Sequence, residues 1–196
     1  MRPSRLFFQP VVTAFRRLIP TIFIVAAAGL APAGGLAAQQ AADMDALFGR
    51  LAGDEGWQLA ESDILREWSK SGSAAMDLLL KRGEDALDQG DVPAAIGHLT
   101  ALTDHAPDFA AGWQARAVAW TMAGQFGPAA ADLGRALTLE PRHVPALTQL
   151  GQLLEEMGDD GRALAAYRAS LKIHPHQQEA LDGVARLERR QSGTEI

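Results

Sequence analysis

Histidines are the residues of this 196-residue chain whose type and spacing come nearest to a metal site. His174 and His176 form an H-x-H pair, and His105 and His143 lie near similar turns earlier in the chain. A stable site needs three or four ligands that converge on one point. Because Pro175 holds the pair apart and the other histidines are distant in sequence, we expect no bound metal and keep a metal carrier only as a remote alternative.

Catalytic motifs are absent from the sequence. It has no cysteine and no G-x-S-x-G, H-E-x-x-H, P-loop or G-x-G-x-x-G pattern. Lys70 lies next to Ser71 and close to Ser73, but the spacing differs from that of S-x-x-K. We therefore expect a protein that is not an enzyme and needs no cofactor, with a small enzyme as another remote alternative.

The N-terminus has the charge and hydropathy pattern of a secretory signal peptide. Four arginines and an apolar run over 18–30 lead to small residues at Ala37, where we expect cleavage; cleavage after Ala38 is the alternative. The run is too short to cross a bilayer as a helix, so we expect no stable membrane anchor after cleavage. This pattern predicts a bacterial protein located in the periplasm or secreted.

Cleavage would make the protein more acidic. The net charge of −6 becomes −10, because 14 basic residues then remain against 24 acidic ones. Nucleic-acid binding requires a basic face that neutralises phosphates, so we expect no nucleic-acid partner.

A period of 34 residues governs the centre of the chain. Three sets of residues recur at this spacing: Pro107, Pro141 and Pro175; Gly90, Gly124 and Gly158; and Ala95, Ala129 and Ala163. The third unit also carries Leu147, Leu150, Gly151, Leu154, Ala163, Tyr167 and Pro175. The chain therefore resembles the tetratricopeptide repeat (TPR) family, whose helix-turn-helix unit has this period and the pattern W-x2-L-G-x2-Y, A-x3-F, P.

This resemblance implies an all-α TPR helix-turn-helix solenoid with three full repeats and helical caps at both ends. The repeats cover 76–109, 110–143 and 144–177. Residues 38–75 are expected to form a degenerate helical hairpin that covers the start of the array, because an end repeat otherwise leaves an apolar face open. Residues 178–196 would form a C-terminal capping helix and tail, and residues 1–37 the signal peptide.

The resemblance also implies a concave groove that is lined by the first helix of each repeat and holds a peptide or a partner's helix. The usual groove positions fall on Asp77, Leu80, Glu84, Leu87, Asp88, Gln114, Val118, Thr121, Met122, Thr148, Gln152, Glu155 and Glu156. This mixture of apolar and acidic residues predicts an amphipathic or basic protein segment as the partner, although the same residues would also suit a merely solvated face.

One known TPR binding mode does not fit the sequence. The clamp for acidic chaperone tails needs Lys and Asn at the positions of Leu80, Glu84, Gln114 and Val118. We therefore expect an exported adaptor that binds another protein and assists the assembly of an envelope complex. The alternative is a structural protein that associates with itself.

Arg82 and Arg116 occupy equivalent positions in neighbouring repeats, where the family has leucine. We expect each to pack its stem on the core and to pair its guanidinium with a nearby acid. The alternative is a clamp for a carboxylate of the partner.

Overall fold

The structure is a computed structural model that describes residues 33–193, with side chains from residue 39 onward. Over this range it contains nine helices and no strand, which confirms the all-α fold. Their bounds are α1 Ala33–Leu51, α2 Trp57–Trp68, α3 Ala74–Asp88, α4 Val92–His105, α5 Ala110–Met122, α6 Phe126–Leu139, α7 Val144–Glu156, α8 Asp160–Ile173 and α9 Gln178–Gln191. The predicted signal peptide lies outside the described residues except for its last residues, which begin α1. None of the helices within 33–193 combines the length and apolar character that crossing a bilayer requires.

The turn inside each repeat is built in the same way three times. Gly90, Gly124 and Gly158 have φ of 72°, 69° and 78°, a backbone conformation in which a Cβ would be strained. Side chains cap the helices that follow two of these turns: Asp91 accepts from the Ala94 amide at 3.1 Å, and Asp159 accepts from the Arg162 amide at 3.0 Å. Residues of the 34-residue period therefore set where each helix ends and the next begins.

Within each repeat the two helices form an antiparallel pair, α3 with α4, α5 with α6 and α7 with α8. Small residues allow the close approach. A Cβ added at Gly151 of α7 would lie 2.7 Å from the Tyr167 ring, and one at Gly183 of α9 would lie 2.6 Å from it. Tyr167 is thus enclosed between two glycines and fully buried, and α9 covers the end of the third repeat.

The N-terminal hairpin, α1 with α2, does not lie where we predicted. Its apolar face does not cover α3 at the start of the array but packs along the turns after α6 and α8, where Phe48, Leu51 and Ile64 form one core with Val144 and the neighbouring Ile173. The physical reason is that these apolar side chains find their matching apolar surface at the turns after the second and third repeats. The prediction that this hairpin covers the first repeat is therefore wrong.

Candidate functional site

Two adjoining cavities lie between the first helices of the repeats. One, of about 330 Å³, lies between α3 and α5, and the other, of about 160 Å³, lies between α5 and α7. Val118 and Met122 line both, so the two cavities form one continuous surface, which we call the central groove. Its lining residues are Glu84, Leu87, Asp88, Gln114, Ala115, Val118, Thr121, Met122, Leu133, Gln149, Gln152, Leu153 and Glu156.

The middle of the central groove is apolar. Val118 is half-buried, and Met122, one turn further along α5, is 50% exposed. An unbranched thioether side chain adapts to differently shaped apolar groups, which is why methionine is common at protein-binding surfaces. This part of the groove can therefore receive an apolar side chain without specifying its shape.

Acidic side chains stand on both sides of this apolar middle. Glu84 and Asp88 lie one turn apart on α3, and Glu156 lies at the end of α7. Burial of its carboxyl, followed by repulsion from Asp85 and Asp88, raises the pKa of Glu84 above its usual value. A cation placed beside Glu84 would relieve that repulsion.

One polar contact crosses the groove. The Gln114 amide donates to the Gln149 side-chain oxygen at 2.9 Å and so joins α5 to α7. We did not predict Gln149 as a groove residue, because the family positions assigned that part of α7 to Thr148. Gln114 and Gln149 are 35 residues apart in sequence, which is one residue more than the repeat period. No local sequence pattern therefore indicates this contact.

Leu80 and Thr148 are predicted groove residues that the structure places in the interior. Leu80 is 3% exposed and belongs to the core between α3 and α4, where it contacts that core's apolar residues. Thr148 is 4% exposed, and its hydroxyl lies 3.0 Å from the Ser170 hydroxyl and donates to Gln177 at 2.7 Å. Since neither side chain reaches solvent, neither can contact a partner.

The side chain of Glu155 is only 12% exposed and is already paired. Its carboxylate accepts two hydrogen bonds from Arg186 of α9, at 2.7 and 2.8 Å, and one from the Tyr167 hydroxyl at 3.2 Å. These bonds, those from Arg186 foremost, lower the pKa of Glu155. Glu155 therefore fastens the C-terminal helix and does not offer a charge to the groove.

Asp77 is the last of the predicted groove residues that do not line the groove. It holds the linker that precedes α3. Its carboxylate accepts from the Ser71 amide at 2.7 Å and from the Ser71 hydroxyl at 2.5 Å, and the pKa of Asp77 is lowered by these bonds. The other predicted residues do line the central groove; they are Glu84, Leu87, Asp88, Gln114, Val118, Thr121, Met122, Gln152 and Glu156.

The two arginines at equivalent positions of the first and second repeats, Arg82 and Arg116, differ from one another. Arg116 donates to both oxygens of Asp132, at 2.7 and 2.8 Å, and to the Thr103 hydroxyl at 2.7 Å. The predicted structural pairing is confirmed for Arg116. It is wrong for Arg82, which is exposed and forms no ion pair with any residue in 33–193, because His98 stands where the second repeat has Asp132.

The histidines do not assemble a metal site within the described range. No three side chains of His, Cys, Asp or Glu among residues 33–193 lie close enough to hold one ion. His143 and His174 are instead buried under the N-terminal hairpin.

No family model matches the chain, but curated proteins and solved structures are similar to it. A TPR repeat-containing protein of Rhizobium etli is 31% identical over 153 residues, which span 76% of this chain and 75% of the relative. The TPR domain of Sgt2 from Aspergillus fumigatus has a TM-score of 0.59 and 23% identity, and the match covers 62% of this chain and 82% of that domain. The first TPR of Spaghetti (RPAP3), bound to the HSP90 peptide SRMEEVD, has a TM-score of 0.59 and 22% identity over 61% of this chain and 95% of that one.

Proposed function

Because the chain belongs to the tetratricopeptide repeat family, we propose that it is an adaptor that binds a segment of another protein in the central groove. The first TPR of Spaghetti was solved with a peptide bound, and this supports a peptide or protein as the partner. The single observation that carries the proposal is an accessible apolar side chain, Met122, between acidic groups on both sides of one continuous groove.

The lining of the groove selects the chemistry of the bound segment. An apolar side chain of the partner would contact Val118 and Met122, and cations before and after it would meet the Glu84–Asp88 pair and Glu156. The raised pKa of Glu84 supports this assignment, because burial and, to a smaller extent, repulsion from Asp85 and Asp88 disfavour its charged form, and an incoming cation would favour that form. The partner segment is therefore amphipathic and basic.

The partner segment that we propose is opposite in charge to the peptide bound by the first TPR of Spaghetti. That peptide, SRMEEVD, ends in a run with three acidic residues. Glu84, Asp88 and Glu156 would repel such a segment, and like charges brought together at an interface cost several kcal/mol.

Export and a role in the cell envelope belong to the same proposal. They rest on the leader pattern of four arginines, an apolar run and small residues before Ala37. In this account the mature adaptor holds another envelope protein and helps to assemble a complex there. Cell fractionation with detection of the processed chain tests the location directly: the account predicts a shortened protein in the periplasm or medium, and a full-length protein in the cytoplasm would contradict it.

Photo-crosslinking in cells tests the binding surface. A photoreactive amino acid at position 122 lies in the groove, and one at Lys172, an exposed residue of α8 that does not line it, is the matched control. We expect a crosslink to a different protein from position 122 only, and its loss in Glu84→Lys/Glu156→Lys. A crosslink between two copies of the chain at position 122 would instead support self-association.

A further inference from the structure

The helix α2 lies across the turns that leave the repeats. Its first residue, Trp57, is next to the turn after α8, and its last, Trp68, is next to the turn after α6. The linker that follows then lines a cavity with the turn after α4. We call these three turns, 106–109, 140–143 and 174–177, the turn edge.

Stacked rings join the hairpin to the turn edge. The Trp68 and His143 rings are nearly parallel, with an interplanar angle of 8° and centroids 4.4 Å apart. At the other end of α2, Trp57 stacks on His176 at 5.1 Å with an interplanar angle of 12° and also contacts His174 at 5.3 Å. Each tryptophan of α2 thus meets histidine at a different turn of the edge.

His143 lies beneath the hairpin as a neutral ring. It is 2% exposed, its Nδ1 accepts from the Ala146 amide at 3.3 Å, and its Nε2 is buried without a hydrogen-bond partner in the protein. A proton added to the ring would therefore create a buried cation in an apolar contact, which is strongly unfavourable unless the ring becomes exposed. Undocking the hairpin is the motion that exposes it, because Trp68 covers one face of the ring.

The charged groups around the hairpin do not compensate for such a proton. In its own turn His143 is flanked by Glu140 and Arg142, and Arg142 pairs with Asp45 of α1 at 2.7 Å. Among residues 33–193, His143 forms no ion pair with α1, α2, α6 or α7. Burial alone therefore accounts for the lowering of the pKa of His143 to about 4.

His174 is a weaker candidate for the same role. It is 1% exposed, but its Nε2 lies 3.5 Å from the Glu61 carboxylate of α2, and Glu179 of α9 also favours its charged form. His176 opposes that charge, and burial is the larger effect, so the pKa of His174 is lowered. Because Glu61 would attract a protonated His174, it offsets part of the effect of burial, and charging this ring weakens the docked state less than charging His143 does.

We propose that the hairpin α1–α2 is an acid-released arm, held on the turn edge by neutral His143 beneath Trp68 and detached when His143 binds a proton. Release uncovers the apolar residues Val144 and Ile173 on the turn edge, while α3 to α9 keep their fold. This is a conformational response that is separate from the central groove.

The sign and size of the response follow from the titration of one ring. The pKa of His143 is lower in the docked state than in the free state, so its neutral form stabilises docking. This contribution is fully present above the ordinary histidine pKa of 6.5 and is lost as the pH falls from there toward 4. A difference between 6.5 and about 4 corresponds to docking that is roughly 300-fold weaker once His143 is protonated in both states.

Pulsed dipolar electron resonance between two spin labels tests the proposal. The chain has no cysteine, so Ser62→Cys on α2 and Ala165→Cys on α8 give two specific labelling sites at exposed positions. We expect one narrow distance at pH 7.5 and a broad distribution of longer distances below pH 4. A reference pair at Ala131→Cys and Ala165→Cys, both within the repeats, should keep its distance at both pH values.

A neutral replacement separates His143 from the other groups that titrate in acid, such as Asp45 and Glu61. In His143→Gln the arm distance should stay narrow at the acidic pH at which the wild-type distribution broadens, whereas the exposed His105→Gln should behave as the wild type does. If His143→Gln is undocked already at pH 7.5, the titration of the His143 ring protons by NMR in the unsubstituted protein decides. Ring titration near pH 6.5 with the arm docked, or an arm distance unchanged below pH 4, would overturn the proposal.

Discussion

The buried ion pair of the second repeat gives the sharpest prediction about stability. Arg116 and Asp132 have side chains that are 14% and 7% exposed, and three hydrogen bonds join the Arg116 guanidinium to Asp132 and Thr103. Asp132→Ala removes the acceptor of two of these bonds and leaves a guanidinium charge inside the protein without a counter-ion.

The expected loss is large because the charge cannot reach bulk water without moving the helix. Removing one partner of a buried pair costs about 3–5 kcal/mol, and the partial exposure of Arg116 places this site near about 3 kcal/mol. For a domain of this size that loss lowers the melting temperature by roughly 6–12 °C. Thermal and urea unfolding followed by circular dichroism measure both quantities.

The third repeat supplies the matched control. One repeat further along the chain, Leu150 and Ala166 stand at the positions of Arg116 and Asp132. The double variant Arg116→Leu/Asp132→Ala therefore installs an apolar pair that the same fold already accommodates. Replacing both members of a buried pair by apolar residues is often neutral, so this variant should unfold within about 1 kcal/mol of the wild type.

The two variants together decide whether the ion pair acts as a unit. The reasoning requires the single change to cost at least about 2 kcal/mol more than the double change, which is a coupling typical of residues in contact. It would be refuted if Asp132→Ala unfolded like the wild type, or if the double variant lost as much stability as the single one.

Three further predictions concern the C-terminal cap and the groove. Gly183→Ala places a Cβ 2.6 Å from the Tyr167 ring and should lower the free energy of unfolding by about 1–3 kcal/mol. Gly97→Ala, which meets no atom within 4 Å, should raise it by about 0.5–1 kcal/mol; urea titration compares the two. Wild type should be more stable than Glu155→Gln above pH 4.5, and this difference should disappear as the pH falls through the lowered pKa of Glu155. Urea unfolding at several pH values measures the difference. Calorimetry should show binding of a basic peptide weakening as the pH falls through the raised pKa of Glu84, and Glu84→Gln should remove that dependence.

The repeat fold could be predicted from the sequence because its determinants are local and recur. Gly90, Gly124 and Gly158 occupy left-handed turns that favour glycine, and Gly151 and Gly183 leave the space that Tyr167 fills. Such requirements act within a repeat or between neighbouring ones, so the sequence displays them at a fixed spacing.

The position of the N-terminal hairpin could not be predicted in the same way. The stacking of Trp68 on His143 and the bond between His176 and the Gly53 carbonyl join residues far apart in sequence, outside any repeat. A stripe of apolar residues shows that α2 has a buried face, but it does not show which surface covers that face.

Only some of the groove residues were predicted correctly. The reason is that the family positions assume that the first helix of every repeat faces open space. That assumption holds for Glu84 and Val118 in the first two repeats. It fails in the first repeat for Leu80, which lies in the core, and for Asp77, which bonds to Ser71. It also fails in the third repeat, where Arg186 of α9 pairs with Glu155 and where Thr148 bonds to Ser170. The capping helix α9 thus converts Glu155 from a predicted binding residue into a structural one.

Selection of peptides from a random library on the immobilised protein tests the central claim most directly. The account predicts enriched peptides that carry Lys or Arg on both sides of an apolar residue. It also predicts that these peptides lose binding to Met122→Glu and to Glu84→Lys/Glu156→Lys while they still bind the surface control Lys172→Glu. Enrichment of acidic peptides, or binding that survives both groove variants unchanged, would contradict the account.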